Sequence, residues 1–291
     1  MAQRSNVSSD AAPDTSSSLS YVRTEQRPRD SEFARYFPNL YHACELGEEV
    51  RLPDSRTIGY AEYCDANARK EGLPVCVFFP GVPGSRLFTH PLHARLRKNG
   101  NERALNEFIP GMRVIVVERP GFGRSSPHPE RETIAAFIDD VVYLLQHLNV
   151  KLFAVLGFSA GGPYALACAA RLFRVDPADV AASCQLRCIK CVVVSCVAPL
   201  QCAKFTDGMG ITNKIATFLL RHVPLLAWLV LYLLSRSALA DPPGSVLGTA
   251  SYYCEVDRTV LRDPGVAQLF IESVCEAFAR PAQRNNFCHL Q

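Results

Sequence analysis

An α/β fold with a mostly parallel sheet flanked by helices is what this sequence predicts, and three observations carry the prediction. Three short runs are apolar at every position, Val75–Phe79, Val114–Val117 and Leu152–Leu156, and Ile189–Val194 is apolar except at Lys190. Strands of that kind are covered on both faces, as in parallel sheets. Segments with apolar residues three and four apart stand between them. The alternation of the two patterns argues for strands joined by crossover helices.

Each element follows from its residues. Glu49–Leu52 and Thr57–Tyr63 flank Pro53-Asp54-Ser55-Arg56, a turn-forming tetrapeptide, and read as a hairpin. Thr133 can cap a helix whose stripe is Ile134, Phe137, Ile138, Val141, Leu145 and Leu148. A second helix is expected over Ala160–Phe173. Beyond Pro199 the alternation stops, and from Thr206 to Arg280 the chain reads as largely helical. There Asp263-Pro264 supplies a cap and first position, and Val266, Leu269, Phe270, Val274 and Phe278 form a stripe closed by Pro281. The expected organisation is a disordered leader (1–38), an α/β core (39–205), a helical cap (206–280) and a short tail (281–291). The leader is Ser-rich and then charged, with too little apolar side chain to offset its ordering entropy.

Composition narrows the class. With 31 Lys and Arg against 28 Asp and Glu, the net charge is +3, which excludes a strongly basic nucleic-acid binder. A 48% hydrophobic content is ample for a core. Twelve cysteines in 291 residues fall short of a disulfide scaffold. Residues 1–20 lack an apolar h-region and carry Asp10 and Asp14, so reduced thiols in an intracellular, cytoplasmic protein are expected.

The chemistry concentrates in one pentapeptide. Gly157-Phe158-Ser159-Ala160-Gly161 fits G-x-S-x-G between an expected strand and an expected helix. A serine on such a sharp turn is lifted above the sheet edge, and the glycines two residues to either side relieve the crowding. A glycine-rich phosphate-binding turn is the other use of such a sequence. Two further loops follow strands: Phe79-Pro80-Gly81-Val82-Pro83-Gly84-Ser85, and Glu118-Arg119-Pro120-Gly121-Phe122-Gly123-Arg124-Ser125-Ser126. By itself the second is a turn-rich loop with no catalytic role.

These three blocks, in this order over about Val50–Leu200, resemble the α/β-hydrolase superfamily, in its capped branch of esterases, lipases, epoxide hydrolases and proline-iminopeptidase-like enzymes. Asp257–Ala279 is similar to that branch's cap helices. The resemblance implies Ser159 as nucleophile, with the backbone N–H groups of Val82 and Ala160 as the oxyanion hole and Gly157 and Gly161 as elbow glycines. A serine at the elbow points to ester rather than epoxide hydrolysis. Three positions depart from the branch's pattern: Pro80 stands for histidine, Glu118 for aspartate and Ser55 for glycine.

The resemblance further implies a carboxylate and then a histidine after the serine. Asp207 is the acid candidate, with a plain loop turn beside Gly208 as its other reading. The later histidines are His222, placed inside a helix, and His289, third from the end. His90 and His93 read as surface residues at a helix start. With eleven residues after Arg280, no Gly-His loop and no further strand pair, the chain reads as an α/β-hydrolase incomplete at its carboxy terminus. Two functions follow: a carboxylic-ester hydrolase acting through Ser159 on apolar acyl substrates, or a non-catalytic pseudohydrolase binding a small apolar ligand or partner.

Two other features stand out in the sequence. Cys184, Cys188, Cys191, Cys196 and Cys202 cluster around the last strand, and Cys188-Ile-Lys-Cys191 is C-x-x-C. In a regular strand those two would point to opposite faces, so neither a metal nor a cofactor is expected. Val223–Leu234 is twelve apolar residues, short of the ~20 a bilayer span needs. It is expected to roof an acyl pocket or to dip into a membrane interface.

Overall fold

Two antiparallel strands open the sheet and four parallel strands complete it. The computed structural model describes residues 47–64, 72–88, 111–128, 133–173, 186–196, 206–249, 254–261 and 264–278. All lie in one compact unit, 39–291; the expected leader (1–38) and tail (281–291) lie outside the described residues. Strands β1 (Glu48–Arg51), β2 (Thr57–Tyr63), β3 (Val75–Phe79), β4 (Arg113–Val117), β5 (Leu152–Phe158) and β6 (Arg187–Val194) run in the order β1-β2-β4-β3-β5-β6. β1 and β2 pair antiparallel, as do β2 and β4, whereas β4-β3-β5-β6 is parallel throughout. Helices α1 (Ile134–His147) and α2 (Gly162–Leu172) supply the crossovers around β5.

Alternate residues of the central strands feed two apolar layers, as the period of a strand requires. Val75, Val77, Phe79, Ile115, Val117, Phe153 and Val155 join Phe137, Val141 and Leu144 of α1 and Tyr164 and Cys168 of α2. Cys76, Phe78, Val114 and Val116 face the other way, with Ala61 and Tyr63. β3 is buried at all five positions, as its unbroken apolar run predicts. Thr133 caps α1, its Oγ1 accepting from the Ala136 N–H at 3.3 Å.

The β1–β2 hairpin forms as expected, with Arg51 opposite Thr57. Asp54 accepts from the Arg56 N–H at 3.0 Å and holds its Nε, while the Arg56 guanidinium clamps Asp140 of α1 at 2.7 and 2.8 Å. Ser55 sits at φ +72°, the left-handed conformation that explains why glycine suits this position.

β6 differs from expectation in two ways. As an edge strand it is open on one side among the described residues, and Ile189, Val192, Val193 and Val194 are exposed rather than covered on both faces. The pairing with β5 also slips: Phe153 faces Cys188 but Ala154 faces Lys190, so Ile189 is an extra residue bulged out of the ladder. The bulge corrects the expectation for the C-x-x-C pair. Cys188 and Cys191 now oppose Phe153 and Val155 on one face and pack against the same core, with the Cys191 thiol on the Ala165 carbonyl at 3.7 Å. Burial holds both thiols above their ordinary pKa. No cluster of three or more candidate metal ligands occurs among the described residues; Cys184 and Cys202 lie outside them.

Beyond β6 the described chain is helical: α3 (Ile211–His222), α4 (Pro224–Ala240), α5 (Pro242–Thr249), α6 (Glu255–Leu261) and α7 (Pro264–Phe278). A break at Val223 separates α3 from the 17-residue α4, and no described helix is long and apolar enough to cross a membrane.

Two outcomes are expected. Replacing Ser55 with glycine relieves the left-handed strain and should stabilise the fold by about 0.5–1 kcal/mol in denaturant unfolding, after the added chain entropy is subtracted. Burial pushes the Cys168 thiol up to about 12, so it stays protonated in the fold while an unfolded thiol ionises near 9. The stability that this contributes is complete below pH 9 and is lost as pH rises toward 12. At pH 8 a disulfide reagent should therefore modify exposed Cys254 rapidly and Cys168 only on unfolding, as read by mass spectrometry.

Candidate active site

Three loops meet at the carboxyl ends of β3, β4 and β5. β5 ends at Phe158, Ser159–Gly161 form a single 3₁₀ turn, and α2 starts at Gly162 rather than at Ala160 as expected. Ser159 has φ +50°, a strained conformation for a serine and the geometry of a nucleophile elbow. The flanking glycines are there for space. A Cβ on Gly157 would stand 2.7 Å from both the Ala165 Cβ and the Gly162 Cα. One on Gly161 would collide with the carbonyl oxygen of Phe79 and stand 2.7 Å from that of Pro80. Gly161 therefore lets the elbow press against the end of β3, where the loop carrying Val82 begins.

That loop lies directly beside the serine. A Cβ on Gly81 would be 3.0 Å from the Ser159 Cβ and 3.3 Å from the Phe158 ring. Ser159, Ala160 and Val82 are all half-buried. No hydrogen bond reaches the Ser159 side chain from any described residue, Asp207 included. Asp207 is exposed on the turn 206–208, beside Gly208 at φ +74°. His222 ends α3 and packs on Phe218 with ring centroids 4.8 Å apart. His90, His93 and His289 lie outside the described residues.

A buried ion cluster that the sequence did not announce mounts the loops. Glu118, directly after β4, is fully buried, as is Arg86. Glu118 Oε1 accepts from the Arg86 backbone N–H and from its Nη1, each at 3.0 Å, and Oε2 accepts from the Arg124 N–H at 2.6 Å. Arg86 Nη1 also donates to Glu276 of α7 at 2.6 Å. Burial alone would lower the Arg86 pKa, but the facing carboxylates of Glu118 and Glu276 outweigh it and hold the guanidinium above its ordinary value. The Glu118 carboxylate also fills the space where Gly59 and Gly123 lack side chains. The longer residue thus fits where the family pattern has aspartate, and the loop after β4 is a structural hub.

α7 meets the loop after β3 at two more points. The Ser85 N–H donates to Ser273 Oγ at 3.1 Å. Phe88 stacks on Phe158 of the elbow at 5.6 Å and stands edge-on to Phe270 at 5.5 Å. The stripe expected on α7 is real: Val266, Leu269 and Phe278 are buried. Its polar neighbours Ser273 and Glu276 are buried as well, and these a hydrophobic pattern could not reveal.

Residues 74–189 match the family model of the alpha/beta hydrolase fold. This is an α/β-hydrolase fold. Among solved structures, this chain is similar to an alpha/beta hydrolase fold protein from Nakamurella multipartita (19% identity, 83% of this chain and 71% of that one, TM-score 0.45). It is also similar to a carboxylesterase structure from Nitrososphaera gargenis (17%, 80% and 69%, TM-score 0.44) and an esterase from Exiguobacterium antarcticum (16%, 80% and 75%, TM-score 0.40).

The ion cluster makes a stability prediction for the α/β core. Arg86→Met should cost about 3–5 kcal/mol in denaturant unfolding, because it leaves the buried carboxylates of Glu118 and Glu276 without their shared cation.

Proposed function

We propose that this protein is a serine hydrolase acting on carboxylic esters or related acyl substrates, with Ser159 as its nucleophile. The observation that carries the reading is the Ser159 backbone: a non-glycine residue held at φ +50° between a parallel strand and a helix, with a glycine at each flank that no larger residue could replace without collision. Strain of this kind persists where the surroundings over-determine it, and here it lifts a hydroxyl to the carboxyl edge of the sheet. In the proposed reaction Ser159 Oγ attacks the ester carbonyl carbon, and the Val82 and Ala160 N–H groups receive the negative charge that develops on the carbonyl oxygen. The hydroxyl proton passes to a general base oriented by a carboxylate, Asp207 being the candidate for that carboxylate; collapse of the tetrahedral species returns the proton from the base to the departing oxygen, releases the alcohol and leaves an acyl-enzyme for water to hydrolyse. Exposed Leu225, Leu229 and Leu233 of α4 support an apolar acyl group as the substrate's recognised part, or contact of 223–234 with a membrane interface.

A second reading, a non-catalytic relative that binds a small apolar ligand or partner, is favoured by the lack of any hydrogen bond to the Ser159 side chain from the described residues. A fluorophosphonate probe separates the two. Wild-type protein should label at Ser159 and Ser159→Ala should not, as read by peptide mass spectrometry; equal labelling of both would overturn the hydrolase reading and leave the second.

A further inference from the structure

Arg119 follows Glu118 in the loop after β4, is 2% exposed, and its Nη2 donates to the carbonyl oxygen of Gly81 at 2.8 Å. That carbonyl shares a peptide unit with the N–H of Val82. The Gly81–Val82 bond is not among the chain's cis peptides, so the C=O and N–H leave opposite edges of one rigid plane. Whatever fixes the oxygen fixes the direction of the N–H. Gly84 leaves room for the same oxygen, since a Cβ there would stand only 2.7 Å from it.

The guanidinium is itself held. It lies 4.6 Å from the ring centroid of Phe122 and 5.9 Å from that of Tyr164. Phe122 packs with Ala238 of α4 and with Val274 and Phe278 of α7. Tyr164 is in the first turn of α2, four residues beyond Ala160. Arg119 thus touches both segments that would present oxyanion donors: the Gly81–Val82 peptide by a hydrogen bond and the start of α2 through an aromatic ring. A hydrogen bond from a cation to a carbonyl is short and strong, and it polarises the peptide so that the N–H at its far edge becomes a better donor.

We infer that Arg119 is a positioning residue for the oxyanion hole, setting the plane of the Gly81–Val82 peptide and its spacing from Ala160. The inference rests on the reading of Ser159 as nucleophile, and its test separates the two. In the full-length chain, Arg119→Met should lower kcat on a short-chain p-nitrophenyl ester about a hundredfold, the scale of losing one oxyanion donor, with KM little changed. Arg119→Lys, which keeps the charge but not the planar fork, should recover part of the loss. The Val82 amide should exchange hydrogen for deuterium faster in both variants. Wild-type kcat in either folded variant, or unchanged exchange at Val82, overturns the inference. If wild-type protein fails to label with fluorophosphonate, the hydrolase reading fails and Val82 exchange alone decides: faster exchange supports the positioning role, unchanged exchange ends it. If Arg119→Met does not fold, Arg119→Lys is read by the same criteria.

Discussion

The Arg86 guanidinium between Glu118 and Glu276 is the interaction on which the arrangement of the site depends. Taking three charges out of water is costly, and the cost is recovered only when each finds its partners in good geometry. Here the partners come from separate parts of the chain: the loop after β3 gives Arg86, the loop after β4 gives Glu118 and the Arg124 N–H, and α7 gives Glu276. A displaced loop would leave a buried charge facing apolar surroundings. The cluster therefore allows little drift in the frame around Ser159.

Within that frame the elbow is built by exclusion of atoms. Gly161 lets the turn rest on the carbonyls of Phe79 and Pro80, Gly157 admits α2 against β5, and Gly81 lets the loop after β3 approach the serine. Phe88 then fills the space between Phe158 and Phe270, joining the elbow to α7 through rings. Backbone contact sets the serine's position and aromatic contact fastens it to the helix above.

Much of this was legible in the sequence because it follows from periodicity. The apolar runs of β3, β4 and β5 pointed to covered strands, although the similar run in β6 lies exposed at the sheet edge; the Thr133 cap and its stripe marked α1, and the spacing of Gly157, Ser159 and Gly161 marked the elbow. What escaped was carried by single polar residues whose partners are remote. Arg86 and Glu276 look like ordinary surface charges in one dimension, and Arg119 looks like part of a turn. A charged pair placed directly after an unbroken apolar strand, Glu118-Arg119 after β4, was the one clue available. The bulge at Ile189 was invisible because an extra residue in an edge strand leaves no mark on an apolar run, and it reversed the expected facing of Cys188 and Cys191.

The reach of the α7 contacts bears on the order in which the molecule assembles. Ser85 and Ser273 are 188 residues apart in the chain, and Arg86 and Glu276 are 190 apart. Closing such long loops is slow compared with pairing neighbouring strands and helices. During synthesis, β1 through β6 emerge well before α7, and until it arrives Arg86 lacks its bond to Glu276 and Phe88 its contact with Phe270. The surroundings of Ser159 are thus the last part of the described fold to close, completed by a helix that emerges a hundred residues after the serine.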